Sequence, residues 1–229
     1  MMPVSPFGPT VSPVPSPLVP ASLALPLVGM HVTVDACNGL ARTVVRQEFT
    51  NPHGVPLSVS YTFPLPADGA VSGYSFVIGD RRIIGEVAPR GEARERFENA
   101  ILEGRSAALL EQERTSLFTQ ELGNIPPGAS VTAELVVDQK LRWLDDGAWE
   151  WRFPTAAAPR YLGSPGSVRD ADKVAITVAD RPFPAKVELA LDIRDPFKNG
   201  VLIESPSHPI TVVAHADRQS ISLGQAGGA

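Results

Sequence analysis

The sequence predicts a mainly β protein, namely an antiparallel β-sandwich with one short amphipathic α-helix, followed by a smaller set of β-strands. Two observations support this fold class. Apolar residues recur at every second position over long stretches, a pattern typical of half-buried antiparallel strands. The 229 residues also include 23 prolines and 19 glycines, and such a turn-rich composition favours many short strands. A chain of this length can bury a substantial core.

The N-terminal segment differs from the rest of the chain. Residues 1–26 contain eight prolines and no charged side chain, so we predict a disordered, proline-rich arm. The apolar stretch at 18–30 is similar to a signal-peptide core, but it lacks the preceding basic residues and prolines interrupt it. We therefore expect a cytoplasmic protein, with a secreted protein as the alternative. No stretch is long and apolar enough to predict a membrane span.

Alternating strands follow the arm at 30–36, 41–51 and 55–65. The turn-forming sequence NPHG at 51–54 lies between the last two, so we predict that they form a hairpin. Another strand pair follows, and its Gly79–Asp80 dipeptide predicts a tight two-residue turn.

A charged segment with helical periodicity interrupts the strands. Ala93, Phe97, Ala100 and Ile101 form one narrow apolar stripe, and Gly104 is a suitable stop signal. Glutamates and arginines at helical spacing, Glu92 with Arg96 and Arg94 with Glu98, predict ion pairs on a solvated outer face. Because the stripe is narrow, we expect the helix to cover one end or one edge of a sheet.

Further strands are predicted at 107–113, 116–125 and 130–144, with Pro126–Gly128 closing a hairpin between the last two. An Asp-Asp-Gly turn then leads into a strand at 148–153. The predicted organisation is therefore a sandwich at 28–155, a loop at 156–172, C-terminal strands at 173–222 and a flexible tail at 223–229. Because the C-terminal strands can bury little alone, we expect them to lie against the first sandwich, another copy or another domain. Weak self-association is one expected consequence.

The residues that could carry chemistry are scattered. None of the four histidines, His31, His53, His208 and His215, stands at metal-ligand spacing from another, and the single cysteine, Cys37, is expected to be a small buried side chain. Asp145 and Asp146 precede a glycine, which is typical of a turn. A net charge of −5 without a basic stripe disfavours nucleic acid as a partner. We therefore assign no catalytic, cofactor-binding or metal-binding residue and expect no cofactor and no enzymatic activity.

Three tryptophans provide the alternative hypothesis. Trp143, Trp149 and Trp151 flank the turn at 145–147 and are candidates for a platform that stacks on sugars in a carbohydrate-binding β-sandwich. Alternation places Trp149 and Trp151 on one face, which favours core packing instead.

Several motifs occur in the order found in one known family: NPH at 51–53, YTFPLP at 61–66, the glycine–aspartate turn, the charged helix, AALLEQE at 107–113, FTQ at 118–120, NIPPG at 124–128, and then WRFPT at 151–155 and APRY at 158–161. Over residues 28–155 the chain resembles the vault protein inter-alpha-trypsin (VIT) domain.

The resemblance implies a β-sandwich without catalytic residues that acts in protein–protein interaction, usually ahead of a von Willebrand factor type A domain. A protein partner, with that domain as the first candidate, is therefore expected. The metal-binding Asp-x-Ser-x-Ser loop of the type A domain does not occur here, since Gln219 stands at the wrong place in the nearest match, Asp217–Ser222. The resemblance thus predicts either a fragment that ends before a type A domain or a short protein that uses the VIT module alone.

Overall fold

The computed structural model describes residues 27–114, 116–154, 186–196 and 202–224. Its elements in chain order are β1 (Leu27–Cys37), β2 (Leu40–Thr50), β3 (Leu57–Pro64), β4 (Gly69–Ile78), β5 (Arg81–Ile84), α1 (Arg90–Leu102), β6 (Ala107–Arg114), β7 (Leu117–Ile125), β8 (Ser130–Lys140), β9 (Arg142–Trp143), β10 (Trp149–Glu150), β11 (Lys186–Ile193), β12 (Ile210–Ala214) and β13 (Gln219–Leu223). The predicted arm, the loop at 156–172 and most of the tail lie outside the described residues.

Two sheets form a sandwich. The large sheet has the strand order β12-β13-β11-β1-β2-β8-β4-β5, and the small sheet has the order β3-β7-β6. A two-stranded ribbon of β9 and β10 stands apart from both. Neighbouring strands are antiparallel except β1 and β11, which run parallel. The prediction of a mainly β, largely antiparallel sandwich with one short helix is confirmed.

The predicted alternation sets which side chains enter the space between the sheets. On β2 the inward set, Thr43, Val45, Gln47 and Phe49, is buried, whereas Arg46 between them is exposed. Two groups of buried apolar residues fill the interior. One surrounds Phe49, Leu122 and Ile125, and the other extends along β1, β2 and β8 to the C-terminal strands. The second group joins β1, β2, β8, β11 and β13 of the large sheet in one core.

The two predicted hairpins that flank the small sheet are wrong. The strand β2 pairs with β1 and β8, whereas β3 pairs with β7 in the other sheet. Likewise β7 belongs to the small sheet and β8 to the large one. The NPHG and PPG turns therefore carry the chain from one sheet to the other, because a turn sequence fixes a local change of direction and not which strands pair.

Asn51 joins these two crossings. Its side-chain amide donates to the carbonyl oxygens of Val55, Ile125 and Pro126 at 2.8, 2.9 and 3.2 Å, and its Oδ1 accepts from the backbone N–H of His53 at 2.9 Å. The backbone N–H of Asn51 also donates a hydrogen bond to the carbonyl oxygen of residue 129, which follows the PPG turn. The side chain is fully buried. One asparagine thus satisfies several backbone groups that the missing strand ladder leaves unpaired.

The two-residue turn and the helix agree with the sequence. Ile78 and Arg81 pair directly across Gly79–Asp80, and Gly79 has a positive φ of 55°. The helix α1 ends where expected, with Gly104 at a φ of 74°. At 13 residues it is too short to cross a membrane, and no helix within the described ranges is long and apolar enough to do so.

The helix packs on the outer face of the small sheet, where it contacts the edge strand β6 and extends over the central strand β7. Gly123 on the central strand β7 lies directly beneath Ile101 and Phe97. A Cβ atom at Gly123 would overlap Cδ1 of Ile101 and would lie 3.1 Å from its Cγ1. Phe97 is half-buried, whereas Ala100 is buried. The missing side chain of Gly123 therefore lets the helix approach the sheet closely.

Replacing Gly123 by alanine is expected to cost about 2 kcal/mol of unfolding free energy, because the added methyl group overpacks the contact with Ile101. The second change Ile101→Ala should recover part of this loss, since it removes the opposing atoms. Gly91→Ala is the matched control, because nothing lies within 4 Å of that position. Urea titration of the four variants measures the coupling, and additive effects would show that the helix does not pack here.

The C-terminal strands extend the large sheet. The register of β11 with β1 runs from Lys186 beside Gly29 to Ile193 beside Ala36. Leu189 and Leu191 face the common core, so the first sandwich covers the apolar face that needed a partner. Residues 202–204, within the range predicted for the C-terminal strands, are irregular, although Ile203 packs on the core. The start of the predicted C-terminal strands, residues 173–185, lies outside the described residues.

Candidate functional site

A pair of exposed tryptophans stands at one end of the sandwich. Trp143 and Trp149 face each other across the ribbon of β9 and β10, with ring centroids 4.6 Å apart and an interplanar angle of 70°. The side chains remain 56% and 43% exposed. Large indole rings in contact with each other and with solvent are unusual on a surface without a binding role.

The turn between β1 and β2 supports this pair from below. Gly39, at a φ of 77°, lies so close to the indole of Trp149 that a Cβ atom there would be 2.8 Å from Cη2. The next residue, Leu40, is 61% exposed. We call Leu40, Trp143 and Trp149 the tryptophan surface. Sequence reasoning missed Leu40, whose apolar side chain directly after an Asn-Gly turn was the available signal.

The third tryptophan does not join the tryptophan surface. Trp151 packs against the main core and stacks on Phe153, with ring centroids 6.1 Å apart and an angle of 18°. Core packing is therefore confirmed for Trp151 and wrong for Trp143 and Trp149. Since the ribbon ends at Glu150, the alternation that placed Trp149 and Trp151 on one face does not continue.

The loop between β9 and β10 is a hydrogen-bonded turn. The Oδ1 atom of Asp146 accepts from the backbone N–H of Ala148 at 3.3 Å, and the N–H of Leu144 donates to the carbonyl of Ala148 at 2.9 Å. The turn interpretation of Asp145 and Asp146 is confirmed. The hydrogen bond of Asp146 helps to hold the turn between the two tryptophan strands.

The outer face of the large sheet carries ion pairs across neighbouring strands. Glu134 on β8 accepts from Arg46 at 2.8 Å and also pairs with Arg82, and Arg42 donates to Asp138 at 2.7 Å. The hydrogen bond from Arg46 lowers the pKa of Glu134, although burial opposes the shift. Since the pKa of Glu134 is lower in the folded state, the ion pair stabilises the fold at neutral pH. This stabilisation is lost as the pH falls through the folded pKa of Glu134. The carboxylates of Glu134 and Asp138 therefore have a structural role in cross-strand ion pairs.

A second charged group lies under the helix. Glu111 on β6 is only 7% exposed and pairs with Arg90 at 2.9 Å and with Arg94. Arg94 also reaches Glu121 at 2.7 Å, so it does not form the predicted pair with Glu98. The predicted pair of Glu92 with Arg96 is confirmed. Because Glu111 is enclosed by arginines, it has little freedom to act on a ligand.

The histidines lie far apart in the fold. His31 sits between Glu188 at 3.0 Å and Glu48 at 3.7 Å on the outer face of the large sheet. His208 and His215 flank β12, and His53 follows Asn51 in the first crossing. Within the four described ranges, no group of three or more His, Cys, Asp or Glu side chains is arranged so that it could hold a metal ion. Cys37 is half-buried at the end of β1.

The geometry thus defines a β-sandwich with a helix on one sheet and an exposed aromatic surface at one end. Residues 27–137 match the family model of the vault protein inter-alpha-trypsin domain. This segment of the chain belongs to the VIT family, as the motifs predicted.

Curated relatives share this region. Mono-ADP-ribosyltransferase PARP4 of Mus musculus is 33% identical over 111 residues, which are 48% of this chain and 6% of that protein. The von Willebrand factor A domain-containing protein 5A of Homo sapiens is 29% identical over 174 residues, which are 73% of this chain and 22% of that protein. The chain therefore spans a small part of these relatives.

Among solved structures, an M1 zinc metallopeptidase from Deinococcus radiodurans aligns with 87% of this chain and 38% of that chain. The identity is 9% and the TM-score 0.38. A score this low carries no argument about function. The matched family segment ends within β8, so the strand β11 that completes the sheet beside β1 lies beyond it.

Proposed function

We propose that this chain is a non-enzymatic protein-interaction module that binds a protein partner through the tryptophan surface. The observation that supports this most directly is the exposed pair of Trp143 and Trp149, in which Trp149 packs closely against Gly39 in the turn between β1 and β2. Tryptophan is enriched among the residues that dominate the binding energy of protein interfaces. Trp149 rests on backbone, so part of the ordering cost of binding is already met in the free protein.

The proposed partner is a von Willebrand factor type A domain. Relatives that share up to 73% of this chain are named for that domain, and they are several times longer than the segment that matches. The partner domain belongs either to the same longer polypeptide or to another protein. In both cases the chain described here supplies the binding module and the type A domain supplies the complementary surface.

The carbohydrate-binding alternative receives less support from the ring geometry. A sugar stacks on an open aromatic face, and a platform of several rings presents those faces side by side. Here the ring planes of Trp143 and Trp149 meet at 70°, so the edge of one ring points at the face of the other. Trp151, the third member of that proposed platform, packs on the core.

The test uses calorimetric titration of the full chain with the type A domain of the human von Willebrand factor A domain-containing protein 5A. The change is Trp143→Ala combined with Trp149→Ala. We expect the double variant to bind at least about tenfold more weakly, because each truncation of a central aromatic removes more than about 1 kcal/mol.

The matched control is Ile84→Ala, because Ile84 is an equally apolar and 74% exposed side chain at the far edge of the large sheet. It should leave the affinity unchanged. Equal weakening by both variants would contradict the proposed surface. Binding to a glycan array that disappears in the tryptophan variant would instead support the carbohydrate alternative.

A further inference from the structure

The strand β12 forms one edge of the large sheet, and β13 is its sole neighbour among the described residues. Four of its five residues, ITVVA at 210–214, are exposed, and none is charged. Natural edge strands usually carry charges or prolines that prevent pairing with another chain. The opposite edge, β5, follows this rule with Arg81 and Arg82. The β12 edge lacks that protection.

The hydrogen bonds to β13 show which backbone groups point outward. The carbonyl of Pro209 accepts from Gly224 at 2.8 Å, and the N–H of His215 donates to Arg218 at 2.9 Å. In an antiparallel pair the bonding direction alternates along the strand. The odd-numbered residues therefore face β13, and the N–H and C=O groups of Ile210, Val212 and Ala214 face the open side. Pro209 has no backbone N–H, but an N–H at this position would have pointed toward β13. The proline therefore removes no hydrogen-bond donor from the open edge.

We propose that β12 pairs with β12 of a second copy, antiparallel about a twofold axis through Val212. In this register Val212 lies opposite its symmetry mate, and Ile210 lies opposite Ala214 of the second copy. Each of these pairs exchanges both backbone hydrogen bonds, because their groups all point to the open side. The two large sheets become one continuous sheet. This association goes beyond partner binding and does not use the tryptophan surface.

The flanking residues favour a second copy over another strand. His208 precedes β12 and Asp217 follows it, and both are exposed. Antiparallel pairing brings His208 of one copy toward Asp217 of the other at each end. Along the strand, Thr211 lies opposite Val213, so no like charges meet. One short strand buries much less than a standard interface of about 1,600 Å², so the dimer is weak and depends on concentration.

Sedimentation velocity of the full chain over a concentration series tests the proposal. The wild-type protein should shift toward a dimer at high concentration. Val212→Lys and Val212→Glu should each remain monomeric, because two identical charges would face each other across the axis. An equimolar mixture of these two variants should recover the dimer, since opposite charges then face each other.

Val187→Lys is the matched control, because Val187 is 46% exposed and Val212 is 42% exposed, but β11 lies inside the sheet. This variant and the tryptophan double variant should dimerise like the wild type. A wild-type chain that stays monomeric at every concentration overturns the proposal. A dimer that persists in Val212→Lys, or a charge-swapped mixture that stays monomeric, overturns it as well.

Discussion

Replacing Asn51 by aspartate is expected to lower the free energy of unfolding by about 4 kcal/mol at neutral pH. The change keeps the shape and the Oδ1 acceptor but removes the donor that serves the carbonyl oxygens of Val55, Ile125 and Pro126. It also places a fully buried carboxylate beside three carbonyl oxygens. Chemical denaturation at pH 7 measures the loss.

The pH dependence separates lost donors from buried charge. Burial and the neighbouring carbonyl oxygens should raise the folded pKa of the introduced carboxyl above its unfolded value. Stability should therefore increase as the pH falls through the folded pKa, because the folded state then takes up a proton that the unfolded state does not yet bind. Asn99→Asp on the exposed side of α1 is the matched control and should change stability by less than about 0.5 kcal/mol. Similar losses in the two variants would show that Asn51 does not join the crossings.

Truncating Arg94 to alanine is expected to cost about 3 kcal/mol, because Glu111 would keep its buried charge and lose one of its two arginine partners. Arg96→Ala, on the same helix, should cost less than about 0.5 kcal/mol, since its partners Glu92 and Glu86 are exposed. Thermal or urea unfolding of both variants compares them.

A second substitution tests the cause. In the Arg94→Ala background, Glu111→Gln should restore part of the stability, because it removes the buried charge that lacks compensation. If Glu111→Gln makes the Arg94 variant still less stable, packing of the arginine chain and not its charge is responsible.

The sequence contained enough information to identify individual strands but, apart from the tight hairpin of β4 and β5, not their partners. The period of two on β2 predicted which side chains are buried, since burial on one face is a local property of a strand. The pairing of β2 with β8 joins residues far apart in the chain, and the NPHG and PPG turns suited a hairpin as well as a crossing. Both turns cross from one sheet to the other, and this arrangement depends on Asn51, whose hydrogen bonds connect loops that are distant in sequence.

The same limit applies to the candidate site. The sequence singled out the three tryptophans, but exposure depends on where the ribbon of β9 and β10 ends, and alternation cannot predict that. Trp149 rests on a glycine more than a hundred positions earlier in the chain. Likewise, Arg94 pairs with Glu111 and Glu121 on the sheet beneath the helix and not with its helical neighbour Glu98. The carboxylates on the sheet are more enclosed, and helical spacing alone does not predict them.

The parallel pairing of β1 with β11 has a consequence for how the chain is made. Asp35 on β1 pairs with Asp192 on β11, more than 150 positions later in the chain. The strand that completes the sheet beside β1 is therefore synthesised long after β1. At about 5–20 residues per second, β1 waits roughly ten seconds or more with one edge unpaired on the ribosome. Contacts of such long sequence separation also slow refolding. The nascent chain therefore passes through a stage in which a central strand of the finished sheet is temporarily an edge strand. Protection by chaperones matters most at that stage.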